Sequence, residues 1–297
     1  MQAAAPTRSN TRRIPLPTSF GGVAAVSEGP GSWLLVWQFL FALATAIVAD
    51  WAFDVAWGRG LDRAISALPD QGRIQDGILE WPDSKPQILH QGPFIAVVVD
   101  PVGLRENGLA TDVTISLESD RLAIRSFLGW TALSYPTTFR LSLTRVDMTS
   151  MVAAWKTPFF LTLGLATIIA LFVSWTLLSV VYGIVVWIGG SVLGRPVRFR
   201  TARRLAGASL LPGCLLMATA IALYATRQLG LEGLFIALPL QIVLGWVYCA
   251  GAWTRLRRPD DLDDSFSSNP FSDLPAEPAD STTYRPGASA NPFQPRG

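Results

Sequence analysis

Four carboxylates between residues 76 and 100 are the groups best suited to acid–base chemistry: Asp76, Glu80, Asp83 and Asp100. Paired acids hydrolyse a substrate when one donates a proton and the other accepts one. Local pattern gives two of them a backbone role instead. Asp76 precedes Gly77, the pairing of a two-residue hairpin turn. Asp100 precedes Pro101 after an apolar run, a usual loop position. The lone histidine, His90, is followed by Gln91-Gly92-Pro93 and reads as a loop residue; spacing identifies no carboxylate partners for a metal there. Cys214 and Cys249 both fall in apolar blocks and read as small packing residues. No CxxC, HExxH, GxSxG or phosphate loop occurs. No catalytic residue, cofactor or metal is expected.

Polar or helix-breaking groups inside apolar blocks are the second place to look. Gln38 and Gln241 are the strongly polar side chains there, and Pro212 and Pro239 the breakers. Gln241 lies two residues after Pro239 in the same block. No ionisable residue falls in the middle of an apolar block, which argues against an ion-coupled transporter. Gly190–Gly194 has GxxxG spacing at the edge of a block.

These groups sit on a chain that is 50% hydrophobic and only 15% charged, where a soluble domain carries about 25% charged residues. The deficit is concentrated in Ser32–Ala49, Thr157–Gly194 and Ala206–Trp253. Ser32–Ala49 is about 27 Å long as a helix and just spans a bilayer. Trp33, Trp37 and Trp51 fall near its ends, where indoles favour the headgroup layer. A cleaved signal peptide is the rival reading, with Ala44-Thr45-Ala46 as the small-x-small site. The long leader and later spans favour an uncleaved anchor.

Charge sets the topology. Arg195, Arg198, Arg200, Arg203 and Arg204 form a basic segment, and Arg255, Arg257 and Arg258 follow the last apolar block. Such clusters remain on the cytoplasmic side. With the N-terminus inside, one pass through Thr157–Gly194 returns the chain to the arginines, and two further spans follow. A tight hairpin over Thr157–Gly194 is the alternative, and it changes the side of the polar insert. The expected organisation is a cytoplasmic disordered tail over 1–31, a first span over 32–49 and an exported β-rich domain over 50–156. A three-span membrane part over 157–253 follows, with its basic loop at 194–205, then a disordered cytoplasmic tail over 254–297. The fold class is an integral membrane, α-helical protein of about four spans with an inserted small α+β domain.

The insert opens with a short helix over Leu61–Leu68. Arg73–Trp81 reads as a hairpin, Phe94–Val99 as a strand covered on both faces, and Asp112–Glu118 and Arg121–Arg125 as alternating strands around a Ser119-Asp120 turn. The expected core is Ile78, Leu79, Ile95, Val97 and Val99, with Val113, Ile115, Leu117, Leu122 and Ile124. From Thr144 the pattern turns helical. The C-terminal tail carries two Asn-Pro-Phe turns, Asn269–Phe271 and Asn291–Phe293.

The stretch Ala67–Gly103 resembles the exported domain of a bacterial family of uncharacterised, maltodextrin-utilisation-type multispan membrane proteins. There too a proline precedes a short strand, a strand–turn–strand unit follows, and an apolar strand ends in Asp-Pro or Asp-Thr and Gly. Gly194–Gly213 is similar to the basic loop and late-span start of that family, whose late spans resemble the Yip-type membrane fold. The resemblance implies a place in a bacterial cytoplasmic membrane and no established enzyme activity.

Two functions follow. The first is a non-enzymatic accessory, sensor or scaffold protein, embedded in the lipid bilayer, meeting protein partners through the exported domain or the C-terminal tail. The second is a component of a small-solute transport system, sugars included. A net charge of +2 gives no footprint for nucleic acid.

Overall fold

The computed structural model describes residues 15–103, 110–194 and 197–256. The chain divides after Leu256; the second unit lies outside the described residues, and with it Arg257, Arg258 and both Asn-Pro-Phe turns. Arg195 lies outside them too.

Seven α-helices and eight strands make up the described part. A helix α1 (Phe20–Glu28) precedes α2 (Gly31–Phe53). A π-helical turn, Asp54–Gly58, carries α2 into α3 (Arg59–Ser66), so that Gly31–Ser66 is one 36-residue helix. After the strands come α4 (Arg145–Val192), α5 (Phe199–Ser209), α6 (Leu211–Ala225) and α7 (Leu231–Trp253). Four helical stretches are long and apolar enough to cross a membrane: Gly31–Ser66, Arg145–Val192, Phe199–Ala225 and Leu231–Trp253.

The ambiguous block Thr157–Gly194 forms no hairpin. Its residues to Val192 continue the 48-residue helix α4, about 72 Å long at 1.5 Å per residue. Thr144 caps it: its hydroxyl accepts from the Asp147 N–H while the Asp147 carboxylate accepts from the Thr144 and Ser142 hydroxyls. Leu161, Leu165, Ile169, Val173, Leu177 and Val181 recur every four residues along α4, each more than half exposed. An outward apolar stripe of this length is foreign to a water-facing surface.

Helix α5 is the hub, packing on α1, α2, α4 and α7. Small residues permit it: Ala202, Ala206, Gly207, Ala208 and Ser209 are buried. On α4, a Cβ at Gly183 would sit 3.0 Å from the Arg203 Cα, so glycine sets that crossing. A cluster of Phe41, Trp175, Tyr182, Leu210, Leu211 and Cys214 fills the middle of the bundle. Tyr182 stacks on Trp246 at 4.0 Å between centroids and donates to the Ile242 carbonyl.

Two expectations change here. The segment 1–31 is not wholly a tail, because Phe20–Glu28 is a packed helix. Ser19 caps it by accepting from the Gly22 N–H, and Val23, Ala24 and Val26 are buried against Leu205, Cys249 and Ala252. The pair Val23/Val26 was its sequence signal, masked by Gly21-Gly22 and the flanking prolines. Within the basic segment 194–205 the residues from Phe199 are helical, so Arg200, Arg203 and Arg204 ride on α5.

The strands form two sheets, β2-β1-β8 and β3-β4-β5-β6-β7. The first joins β1 (Arg73–Gln75), β2 (Ile78–Glu80) and β8 (Leu141–Ser142), with the Asp76-Gly77 turn between β1 and β2 at φ +53° and +82°. The second contains β3 (Gln87–Gln91), β4 (Ile95–Asp100), β5 (Val113–Glu118), β6 (Arg121–Ser126) and β7 (Gly129–Ser134). All pairs are antiparallel except β4–β5, which is parallel. Every residue of β4 is buried: the apolar run Ile95–Val99, as a strand covered on both faces requires, and Asp100 with it.

The domain core is Ala64, Ile74, Leu79, Leu89, Ile95, Val97, Val99 and Leu143, with Ile115 and Leu117 packed against it. Ile78 departs from expectation. It alternates with Leu79 on a short strand and is 58% exposed, because the three-stranded sheet covers one face only.

Candidate functional site

The four carboxylates weighed as paired acids have separate local partners. Asp76 occupies its turn, Glu80 pairs with Arg73, and the Asp83 carboxylate accepts from the Lys85 N–H. Asp100 is buried and accepts from the Gly103 N–H at 3.0 Å, closing the turn after β4. Among the described residues no group of three or more His, Cys, Asp or Glu could hold a metal ion.

The polar and kinked positions in the helices fall on separate crossings. Gln38 is buried on α2, opposite Gly207 of α5. Pro212 is buried at the second position of α6, a first-turn site where its missing N–H is tolerated. Pro239 lies exposed in α7 without breaking it. Gln241 is half-buried, and its backbone carbonyl faces Gly213. Sequence reasoning passed over Asp50 as the first residue of the insert. It lies within α2, against Gly164 of α4, and its Oδ1 is buried with no hydrogen-bond partner among the described residues.

Arg198, Arg200 and Arg203 are exposed at the start of α5, and Arg204 donates to the Gly29 carbonyl at 3.1 Å. Arg255, at the end of α7, lies 5.9 Å from the Phe20 ring centroid of α1. These arginines share one end of the bundle. The β-rich domain holds the other. There Tyr224 donates to Asp112 at 2.8 Å, Arg227 lies over Phe94, and Phe127 meets Phe235 edge-on at 4.9 Å. The starts of β4 and β5 and the β6–β7 turn thus stand on the α6–α7 connection.

Where the domain meets α2 and α4 the structure has an almost wholly apolar cavity of about 450 Å³. Helix α3 contributes Leu61, Ala64 and Ile65, the sheet Leu89, Val97 and Leu117, and α4 Met148, Val152 and Phe160. The opposed faces of α3 and the sheet follow from the amphipathic pattern of Leu61–Leu68, and α4 closes the third side. Lys156 and Asp54 form an ion pair at 3.1 Å on its rim. An aromatic collar lies beside it: Phe53 stands 5.3 Å from Trp57 and 5.1 Å from Phe159. This volume and apolarity match small-molecule sites, which run about 300–1,000 Å³.

His90 lies in β3, not in a loop, and packs on Gly60 of α3, where a Cβ would come within 3.3 Å of its ring. Burial, and then the Arg63 guanidinium, lower its pKa below the usual 6.5. The fold therefore favours neutral His90. Stability is fully present above pH 6.5 and falls as the pH drops towards the lower folded-state value. Thermal unfolding of the whole chain should show a lower midpoint at pH 5 than at pH 7.5. His90→Gln should flatten that difference; an unchanged difference would assign it to other groups.

No family model, curated protein or solved structure matches this chain.

Proposed function

We propose that this chain is a non-enzymatic membrane protein of four spans that holds its β-rich domain against the outer membrane surface as a sensor or scaffold, in a bacterial cytoplasmic membrane. One observation carries the reading: the arginine-bearing ends and the β-rich domain lie at opposite ends of the same four apolar helices. Arginine clusters stay cytoplasmic, so α1 and the arginines face the cytoplasm and the domain faces out. Lipid then covers the outward stripe of α4. Trp51, Trp57 and Trp155 fall at the outer interface, where amphipathic rings gather.

The docking contacts favour a sensor or scaffold over a transport component. Tyr224, Phe94 and Trp57 hold the domain to the helix ends, so a partner or ligand that shifts the domain also shifts α6. The bundle centre is filled by large apolar side chains, which leaves Gln38 and Gln241 as packing amides.

Reporter fusions test the topology. Alkaline phosphatase joined after Ser142 should be active, and joined after Gly194 or Leu256 inactive, with a cytoplasmic reporter giving the reverse pattern. Activity of the cytoplasmic reporter after Ser142 would overturn the arrangement.

A further inference from the structure

We propose that the cavity between the β-rich domain and the first turns of α4 receives one alkyl chain of a bilayer phospholipid, drawn from the adjoining leaflet; this rests on the four-span reading above. Protein interiors pack to crystal-like density and leave few voids larger than a water molecule. The apolar cleft of about 450 Å³ is far larger than such voids and has room for an occupant. Water gains few partners there, because the walls offer almost only carbon. The occupant must therefore be apolar.

Position selects its source. Phe53 ends α2 and Phe160 follows the first turns of α4, and both line the cavity. From Phe160 the α4 surface continues as Leu161 and Leu165, which are 74% and 55% exposed. The outward apolar surface of α4 thus adjoins the cavity at Phe159 and Phe160. The charged groups that reach the cavity, Asp54, Asp62 and Lys156, are part-exposed or exposed. A headgroup at the mouth meets the Asp54–Lys156 pair, while the chain lies against Val97, Leu117 and Leu143 of the domain. The β-rich domain would in this way bind the membrane through a lipid it holds.

The test uses the full chain in phosphatidylcholine nanodiscs containing a minor fraction of the same lipid with a diazirine at one acyl-chain end. After irradiation, labelled residues are mapped by mass spectrometry. Label is expected on Leu117 or Leu143 as well as on outward residues such as Leu161. Val152→Trp and Ile65→Trp fill the cavity from facing walls. Each should reduce labelling of the domain residues roughly tenfold, since a filled space has no room for a chain, with Leu161 labelling unchanged. Two variants guard against misfolding of either one. Label confined to outward span residues, or domain labelling that neither variant lowers, overturns the proposal and leaves four spans standing. Absence of label from the spans as well overturns both.

Discussion

Val99→Asp should unfold the β-rich domain while leaving the helices paired. Val99 is fully buried on β4, between β3 and β5, within the cluster that includes Leu89, Ile95 and Leu143. A carboxylate there has no water and no cation. It must be neutralised, which for a group raised by about 3 pKa units costs roughly 4 kcal/mol at neutral pH. The lost valine burial adds about 1.5–2 kcal/mol. The sum rivals the whole stability of an ordinary domain, about 5–15 kcal/mol. Limited proteolysis of the detergent-purified chain is the measurement: cuts should appear between Asp70 and Arg140 in the variant only. Ile78→Asp is the control. Ile78 is 58% exposed, so its change should stay within about 0.5 kcal/mol. Equal protease sensitivity in the two variants would mean that β4 is not central.

The contrast between Val99 and Ile78 shows where sequence reading succeeds. A run such as Phe94–Val99 states its own burial, because only a strand covered on both faces tolerates it. Alternation alone does not: Ile78-Leu79 alternates on a two-sided hairpin, and which side is covered depends on α3 and β8, far along the chain. Strands β3 and β7 went unread for related reasons. β3 carries a bulge between Ile88 and His90 that breaks the period. β7 is an edge strand whose Trp130 and Leu133 are exposed, so its pattern reflects no core.

The four long apolar helices were legible because hydropathy acts locally. The cavity was not. Its walls come from α3, β3, β4, β5 and α4, and each wall alone is an ordinary apolar face. Only the distance that α4 keeps from the sheet leaves space between them. Helix α1 was hidden for a different reason: it is too short and glycine-rich to signal itself and is held by tertiary contacts with α5 and α7.

Gly213→Leu should break the α6–α7 pair, whereas Gln241→Leu should not, and the two together decide what Gln241 is for. Gly213 follows Pro212 at the start of α6 and faces α7 so closely that a Cβ would lie 2.7 Å from the Gln241 carbonyl oxygen. That atom is backbone and cannot rotate away. Even alanine must part the helices, and leucine adds three more carbons; overpacking of this kind costs about 3 kcal/mol or more. The connection at Thr226–Gly230 should become protease-sensitive and the thermal midpoint should fall by many degrees. The Gln241 side chain is half-buried, and hydrogen bonds of membrane amides contribute only about 0.6–2 kcal/mol. Gln241→Leu should therefore keep expression, the thermal midpoint within a few degrees and domain docking. Solute uptake, sugars first, should be alike in cells with the parent chain, with Gln241→Leu and with the chain deleted. A solute whose uptake requires both the chain and Gln241 at matched protein level would sink the scaffold reading and make the bundle a path.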